Sequence, residues 1–340
     1  MAIEARAVTD KSEWEDFLQK HPEANFLQSW YWGEFNEKIN KQIERIGFYE
    51  HQNLIGVALS VVEPARRGRY LTVAGGPILD WNNPELIESF NKEIVAIAKK
   101  HNCVFIRIRP QLLEDEFAHK IFHSMGSHPA PMHLTADLTI QIDLSPSEEE
   151  LMAHIRKSTR YEIRQAQKLG ITITTSSDPD TIDQFYAMQL ETAKRHGFVP
   201  FSLPFLKEQF TTFSQEGLAL LYKAEHEGKL LAEAFVIFYG AEATYHYGAS
   251  TADGRNFPGA YLIQWEIIRE AKRRGLGRYN LWGVAPQSEK NHRFYGVSVF
   301  KRGFGGEEVA YLRAQDIIIN KVKYALNFAV EATRKRLRRV

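Results

Sequence analysis

Two stretches of this chain carry the same order of elements, and that repetition limits the folds open to it more than any other feature. The first opens with the hairpin-like segment from Ile46 to Gly56. It continues through the strand-like Val57 to Val62 and Tyr70 to Val73, a helical segment from Pro84 to Lys100, and an apolar strand from Val104 to Ile108. The second opens at Leu220 to Leu230 and continues through strands Ala232 to Tyr239 and Ala243 to Gly248. A helix from Gly259 to Arg274 and a strand from Arg278 to Trp282 follow. Hairpin, strand, strand, helix and strand at similar lengths make an internal duplication, with a period far too long for a solenoid. Each copy predicts a mixed sheet backed by helices, so the chain reads as α/β with two tandem domains. The expected boundaries are 1–144, 145–314 and, for a basic C-terminal helix docked on the second domain, 315–340.

Charge narrows the partners. Over 340 residues the formal net charge is only +1, so any polyanion must be met by local clusters rather than by a whole-protein field. The one cysteine, Cys103, sits in an apolar run, which excludes internal disulfides, points to a reducing compartment and argues against a covalent thiol. Neither a leader nor an apolar run long enough to span a bilayer is visible, so a cytoplasmic protein is expected.

Three basic groupings stand out. Between the repeats, Ser145 as N-cap, Pro146 in the first turn and Glu148 completing a capping box predict a helix running from Leu151 to Leu169. Lys157, Arg160, Arg164 and Lys168 make it strongly basic, and the last three share one face, so an anionic partner is expected there. Lys272, Arg273, Arg274 and Arg278 form the second grouping. The third, Arg334 to Arg339, ends a helix whose apolar residues Ile317, Ile318, Val322, Ala325, Phe328 and Ala329 are expected to dock. Its basic end suits RNA phosphates or an anionic membrane surface equally. The aromatics at 30, 31, 32 and 35 read as core before they read as a base-stacking surface.

Chemistry is sparse. No nucleophile elbow, P-loop or dinucleotide fingerprint is present, and the His123, His128, His133 spacing does not suit a metal. What remains is Val299-Phe300-Lys301-Arg302-Gly303-Phe304-Gly305-Gly306, where a lysine beside glycines can steady negative charge developing on an oxygen. Taken alone, the motif also reads as a glycine-rich hairpin with a solvated lysine.

Several stretches together resemble the Fem-type (FemABX) aminoacyltransferases, which build the interpeptide bridges of bacterial peptidoglycan. They are Phe26-Leu27-Gln28-Ser29 with Trp32-Gly33, Gly75-Gly76-Pro77-Ile78, Lys157 to Ala166, Tyr247-Gly248-Ala249-Ser250, Gln264-Trp265-Glu266, Leu281-Trp282-Gly283-Val284 and Phe300 to Gly306. The resemblance implies two GNAT-like domains and transfer of an amino acid from aminoacyl-tRNA, with no cofactor, to an amine of a muropeptide. Its long helical arm does not fit between Leu169 and Leu220, so this is expected to be a compact member. By position, Lys301 is the catalytic lysine, Phe300 its aromatic neighbour and Tyr247 a lining residue of the acceptor pocket. Lys157, Arg160, Arg164 and Lys168 become the tRNA surface.

Other acceptor positions depart from members that use a nucleotide-linked (UDP-linked) precursor. Those have Lys at Asn36, Tyr and Asp at Val104 and Arg109, and Arg and Tyr at Phe201 and Phe205. Arg109 and Lys38 are expected to replace part of the lost charge, and a lipid-linked acceptor is favoured. The protein is then expected to be a monomer, in peripheral contact with the inner membrane face. Two other readings stay open: an acetyl-coenzyme A-dependent N-acyltransferase, and a non-catalytic RNA- or muropeptide-binding module.

Overall fold

Both repeats fold into an antiparallel meander, a crossover helix and a parallel strand. The computed structural model describes residues 3–197 and 199–338. In the first repeat, β1 (Glu4–Ala7), α1 (Lys11–Gln19) and α2 (Trp30–Lys38) precede the meander β2 (Gln42–Glu50), β3 (Asn53–Glu63) and β4 (Tyr70–Ala74). There follow β5 (Ile78–Leu79), α3 (Pro84–Lys100), β6 (Phe105–Arg109), α4 (Glu116–Ser124) and β7 (His128–Pro129). The Asn83 side chain accepts the Leu86 N–H and Pro84 opens α3, which buries Leu86, Phe90, Ile94 and Ile97 against the sheet.

The second repeat starts with β8 (Leu138–Asp143), α5 (Glu148–His154), α6 (Lys157–Lys168), β9 (Thr172–Ser176), α7 (Ile182–His196) and α8 (Leu203–Ser214). Its meander is β10 (Ala219–His226), β11 (Lys229–Tyr239) and β12 (Glu242–Ser250), followed by α9 (Gly259–Arg273), β13 (Arg278–Gly283), α10 (Tyr295–Arg302) and β14 (Glu307–Ala310). The chain ends with β15 (Gln315–Ile318) and α11 (Lys321–Arg338). In the span expected to be too short for a long arm, the described residues form β9, a 3-10 turn at Pro179–Thr181, and the helices α7 and α8.

The sheet orders are β1-β2-β3-β4-β6-β15-β7 and β14-β8-β13-β12-β11-β10-β9. The parallel pair β4–β6 in one sheet corresponds to β12–β13 in the other. Each sheet is then extended antiparallel by a strand distant in sequence: β15 on β6, and β8 on β13. One unit therefore joins the chain up to Asp137 with the chain from Ala310 onward, and the other is Leu138–Val309.

That pairing corrects the expectation for the C-terminus, which belongs to the first unit, with Ile317 and Ile318 on β15 rather than on the helix. There α11 docks through the ring of Tyr324 and through polar groups, not through the apolar face read from its sequence. The Tyr324 hydroxyl donates to Asp316 at 2.9 Å, Arg67 donates to Asn327 at 3.0 Å, and Arg107 donates to Glu331 at 2.9 Å. Period-two alternation along β6 explains this: Ile106 and Ile108 enter the core under α3, so Phe105 and Arg107 face the other way, where Tyr324 packs on Phe105. Arg339 lies outside the described residues, as does the side chain of Arg338.

The interdomain helix is also divided. Ser147, with Glu150 completing the box, caps α5, because Ser145 is already bonded through its N–H and hydroxyl to Asp143. At Ile155 the backbone turns extended and the side chain enters the core, so α6 starts afresh at Lys157.

Candidate functional site

Lys301 lies on α10, not on a hairpin, and it is 7% exposed. Its Nζ donates to the Gly283 carbonyl oxygen at 2.8 Å and stands 5.6 Å from the centre of the Tyr245 ring. Burial pushes the lysine down to about 7 and the Tyr245 hydroxyl up to about 12. The reading of a solvated lysine therefore fails: this amine is desolvated and poised to change charge near neutrality.

Two features of the chain set this geometry. At the end of β13, Trp282 has φ of 63°, and the ladder to β8 is irregular between Asn280 and Gly283. The Asn280 side chain accepts the Trp282 N–H at 2.8 Å and holds that turn, which aims the Gly283 carbonyl at Lys301. From the other side, Ser298 accepts the Ala285 N–H at 2.8 Å, and Arg302 donates to the Ala285 carbonyl and pairs with Glu308 at 2.6 Å. The helix bearing Lys301 is thus stapled to the end of β13 through Gly283 and to the segment after it through two bonds to Ala285.

The glycines of the motif serve the chain itself rather than a bound molecule. A Cβ on Gly303 would collide with Thr159 of α6, and one on Gly306 would lie 2.5 Å from the Gln141 carbonyl oxygen. The Gly303 carbonyl in turn accepts the Arg156 N–H at 3.0 Å. The first turn of α6 consequently abuts the turn that follows Lys301. Lys157, Arg164 and Lys168 are exposed along that helix beside the 62% exposed ring of Tyr161, and Arg160 is partly covered. Among the described residues no carboxylate pairs with Lys157, Arg164 or Lys168.

Phe300 packs its ring against Tyr261 at 4.9 Å and Phe304 at 5.1 Å. Tyr247, Phe201 and Phe205 also come together, with Phe201 stacked on Phe205 at 4.5 Å and 5.7 Å from Tyr247. They lie on the opposite sheet face from Tyr245. A bulge between Phe235 and Val236 pairs Phe235 with Tyr247 but Val236 with Tyr245, so the two tyrosines point to opposite faces despite their spacing of two. Tyr245 was not singled out from the sequence, because alternation alone would have placed it beside Tyr247.

Asn36, Lys38 and Arg109 belong to the first unit. Lys38 is exposed at the end of α2. Asn36 is buried and its amide donates to the Trp32 carbonyl at 2.8 Å. Arg109 is buried as well: its guanidinium donates to Thr135 at 2.6 Å, to the Pro110 carbonyl and to Gln111, and lies over Tyr311. This corrects the expectation that Arg109 replaces a phosphate ligand, since its donors hold the loop that follows β6. Of the aromatics at 30, 31, 32 and 35 only Phe35 is core; Trp30, Tyr31 and Trp32 are half-buried, with the Arg45 guanidinium 3.9 Å over the Trp30 ring. The second basic grouping is internal to its unit: Arg273 and Arg274 pair with Glu270, Arg278 with Glu242, and Lys272 donates to two carbonyls. Cys103 is buried and its thiol is pushed up to about 11, which removes it as a nucleophile.

Comparison with known proteins places these features in a family. The profile of the FemAB family matches residues 9–133, 130–227 and 215–332. Aminoacyltransferase FemA of Staphylococcus aureus is 23% identical, over 94% of this chain and 97% of its own length. Lipid II:glycine glycyltransferase of Staphylococcus epidermidis is 22% identical, over 94% of each. The FemA alignment runs over 409 residues, more than the 340 here, so that relative carries segments this chain lacks. Among solved structures, FemX superposes with a TM-score of 0.85 at 19% identity, covering 95% of this chain and 99% of that one. A tandem GNAT protein from the clavulanic acid biosynthesis pathway superposes at 0.60 and 11% identity, covering 93% and 98%. The fold is therefore a tandem GNAT-like one.

Proposed function

We propose, from the premise that this chain belongs to the FemAB family, that it transfers the aminoacyl group of an aminoacyl-tRNA to an amine of a peptidoglycan precursor, extending the interpeptide bridge. The relatives named as an aminoacyltransferase and as a lipid II:glycine glycyltransferase support both the reaction class and a lipid-linked acceptor. The observation that carries the mechanism is the buried Lys301 amine, fixed by Gly283 beside the Tyr245 ring.

In the reaction the acceptor nitrogen attacks the ester carbonyl, a C–N bond forms, the C–O bond to the ribose breaks and the amine proton leaves. Charge develops first on the carbonyl oxygen and then on the departing ribose oxygen. A desolvated ammonium stabilises either more strongly than a solvated one would. An amine that titrates near neutrality is also suited to passing its proton to the leaving oxygen.

The basic face of α6 is the tRNA surface in this account. It starts against the turn after Lys301, its cations meet phosphates, and Tyr161 offers a ring for stacking. Tyr247, Phe201 and Phe205 form an apolar stacking patch suited to a peptide or sugar face rather than to a diphosphate. A lipid-linked acceptor would be met at the inner face of a membrane.

Purified protein given charged tRNA and lipid-linked precursor is expected to release free tRNA and enlarge the stem peptide by the transferred residue. Failure with every common aminoacyl-tRNA would remove the proposal.

A further inference from the structure

Helix α11 turns its apolar residues the wrong way for a core-packing helix. Its inward face consists of Tyr324, Asn327 and Glu331, bonded to Asp316, Arg67 and Arg107. Its outward face carries Val322, Leu326, Ala329, Thr333 and Leu337 at spacings of three and four, with Val322 84% and Leu337 78% exposed. An amphipathic helix normally buries such a stripe, and here the buried side is the polar one. Lys321, Lys323, Arg334 and Arg336 are exposed and flank the stripe, while Lys335 is half-buried and the helix's single acid, Glu331, is paired with Arg107.

We infer that α11 is a membrane-docking helix that lies in the plane of an anionic lipid surface. An apolar stripe bordered by lysines and arginines fits the boundary between headgroups and acyl chains, where the cations meet lipid phosphates and the leucines leave water. RNA would use the cations and leave the stripe exposed, and a second copy of this helix would bring its cations against themselves. The polar inner face fixes which side looks outward, so the stripe is presented by the fold and not merely left over. The inference rests on the transfer reading only in explaining why a bilayer is met at all: a lipid-linked acceptor is found there.

The test is co-sedimentation of the full chain with vesicles of phosphatidylglycerol and phosphatidylcholine in equal parts, and with phosphatidylcholine alone. The wild type is expected to partition onto the anionic vesicles, and salt to weaken that binding. Two double variants, Leu326→Ser with Leu337→Ser and Lys321→Glu with Lys323→Glu, are each expected to bind at least about tenfold more weakly. Their circular dichroism and melting should match the wild type, because these side chains point to solvent. Wild type that stays in the supernatant, or variants that bind as well as it does, would overturn the inference. So would a wild-type dimer dissolved by the leucine substitutions, or uncharged tRNA binding that falls with them. Transfer to an acceptor dispersed in detergent separates the two readings. Its absence with vesicle binding intact removes the transfer reading alone, and its presence in the leucine variant without vesicle binding leaves that reading untouched.

Discussion

Gly248 lies directly beneath the Tyr245 hydroxyl: a Cβ built on this glycine would overlap the phenol oxygen and come 2.5 Å from Cζ. The bulge in β12 places these residues on one face although they are three apart, and the missing side chain lets the ring lie flat toward Lys301. Gly248→Ala is therefore expected to displace Tyr245 and disturb the environment of the lysine. The overpacking should cost about 1–3 kcal/mol of stability, read from urea melts, and the transfer rate should fall by more than that loss of folded protein explains.

The Lys301 amine makes stability depend on pH in a defined direction. Its folded value, about 7, lies below the ordinary 10.5, so between these limits the unfolded chain binds more protons. The burial penalty is fully present below pH 7, shrinks as pH rises and is gone above 10.5. Lys301→Met should be more stable than wild type at pH 6.5, by an amount on the order of a few kcal/mol, and the gap should shrink as pH rises and close above 10.5. Urea melts of both proteins across this range give the measurement.

Glu233 supplies the opposite sign. It is buried on β11, one carboxylate oxygen has no hydrogen-bond partner, and burial pushes it up to about 7 from 4.5. The folded chain then binds more protons between these limits, so wild-type stability should fall as pH rises from 4.5 to 7. Glu233→Gln should flatten that slope and stabilise the protein at pH 8 by roughly 1–3 kcal/mol. A wild type and variant that melt in parallel across the window would contradict it.

Much of this was legible in the sequence. The repeat, both meanders and the crossover helices followed from apolar patterning and turn residues, because those signals are local. What escaped was set by distant partners. The division at Ile155 depends on where its side chain and the Gly303 carbonyl lie, since helix-forming residues run straight through it. The bulge at Phe235 separates Tyr245 from Tyr247, and no residue type announces it. The C-terminal helix goes to the first unit because β15 pairs with β6, a long-range contact that no local pattern announces. Its apolar stripe faces outward because Arg107 and Asp316 reverse the rule that such a stripe marks the docked face. The resemblance pointed to Lys301, but its burial depends on the segment after β13 folding back over it.

The junction between α11 and the first sheet yields a further expectation. Asp316 is fully buried and accepts both Arg107 bonds at 2.8 Å and the Tyr324 hydroxyl. Burial works against the Arg107 charge, and Asp316 with Glu331 more than offsets it, holding the guanidinium above its ordinary range. Asp316→Ala leaves that charge buried without its main partner and should destabilise the first unit by about 3–5 kcal/mol. Proteolysis should then cut within α11 in the variant and spare it in the wild type.

The most direct test of the account concerns the lysine itself. Single-turnover release of tRNA from aminoacyl-tRNA should be followed with saturating acceptor at pH 6.5, comparing wild type with Lys301→Met. Loss of a charge-stabilising donor predicts a fall of on the order of 100-fold or more, in a variant that remains folded and still binds tRNA. A variant that releases tRNA and forms product within a few-fold of the wild-type rate would contradict the account.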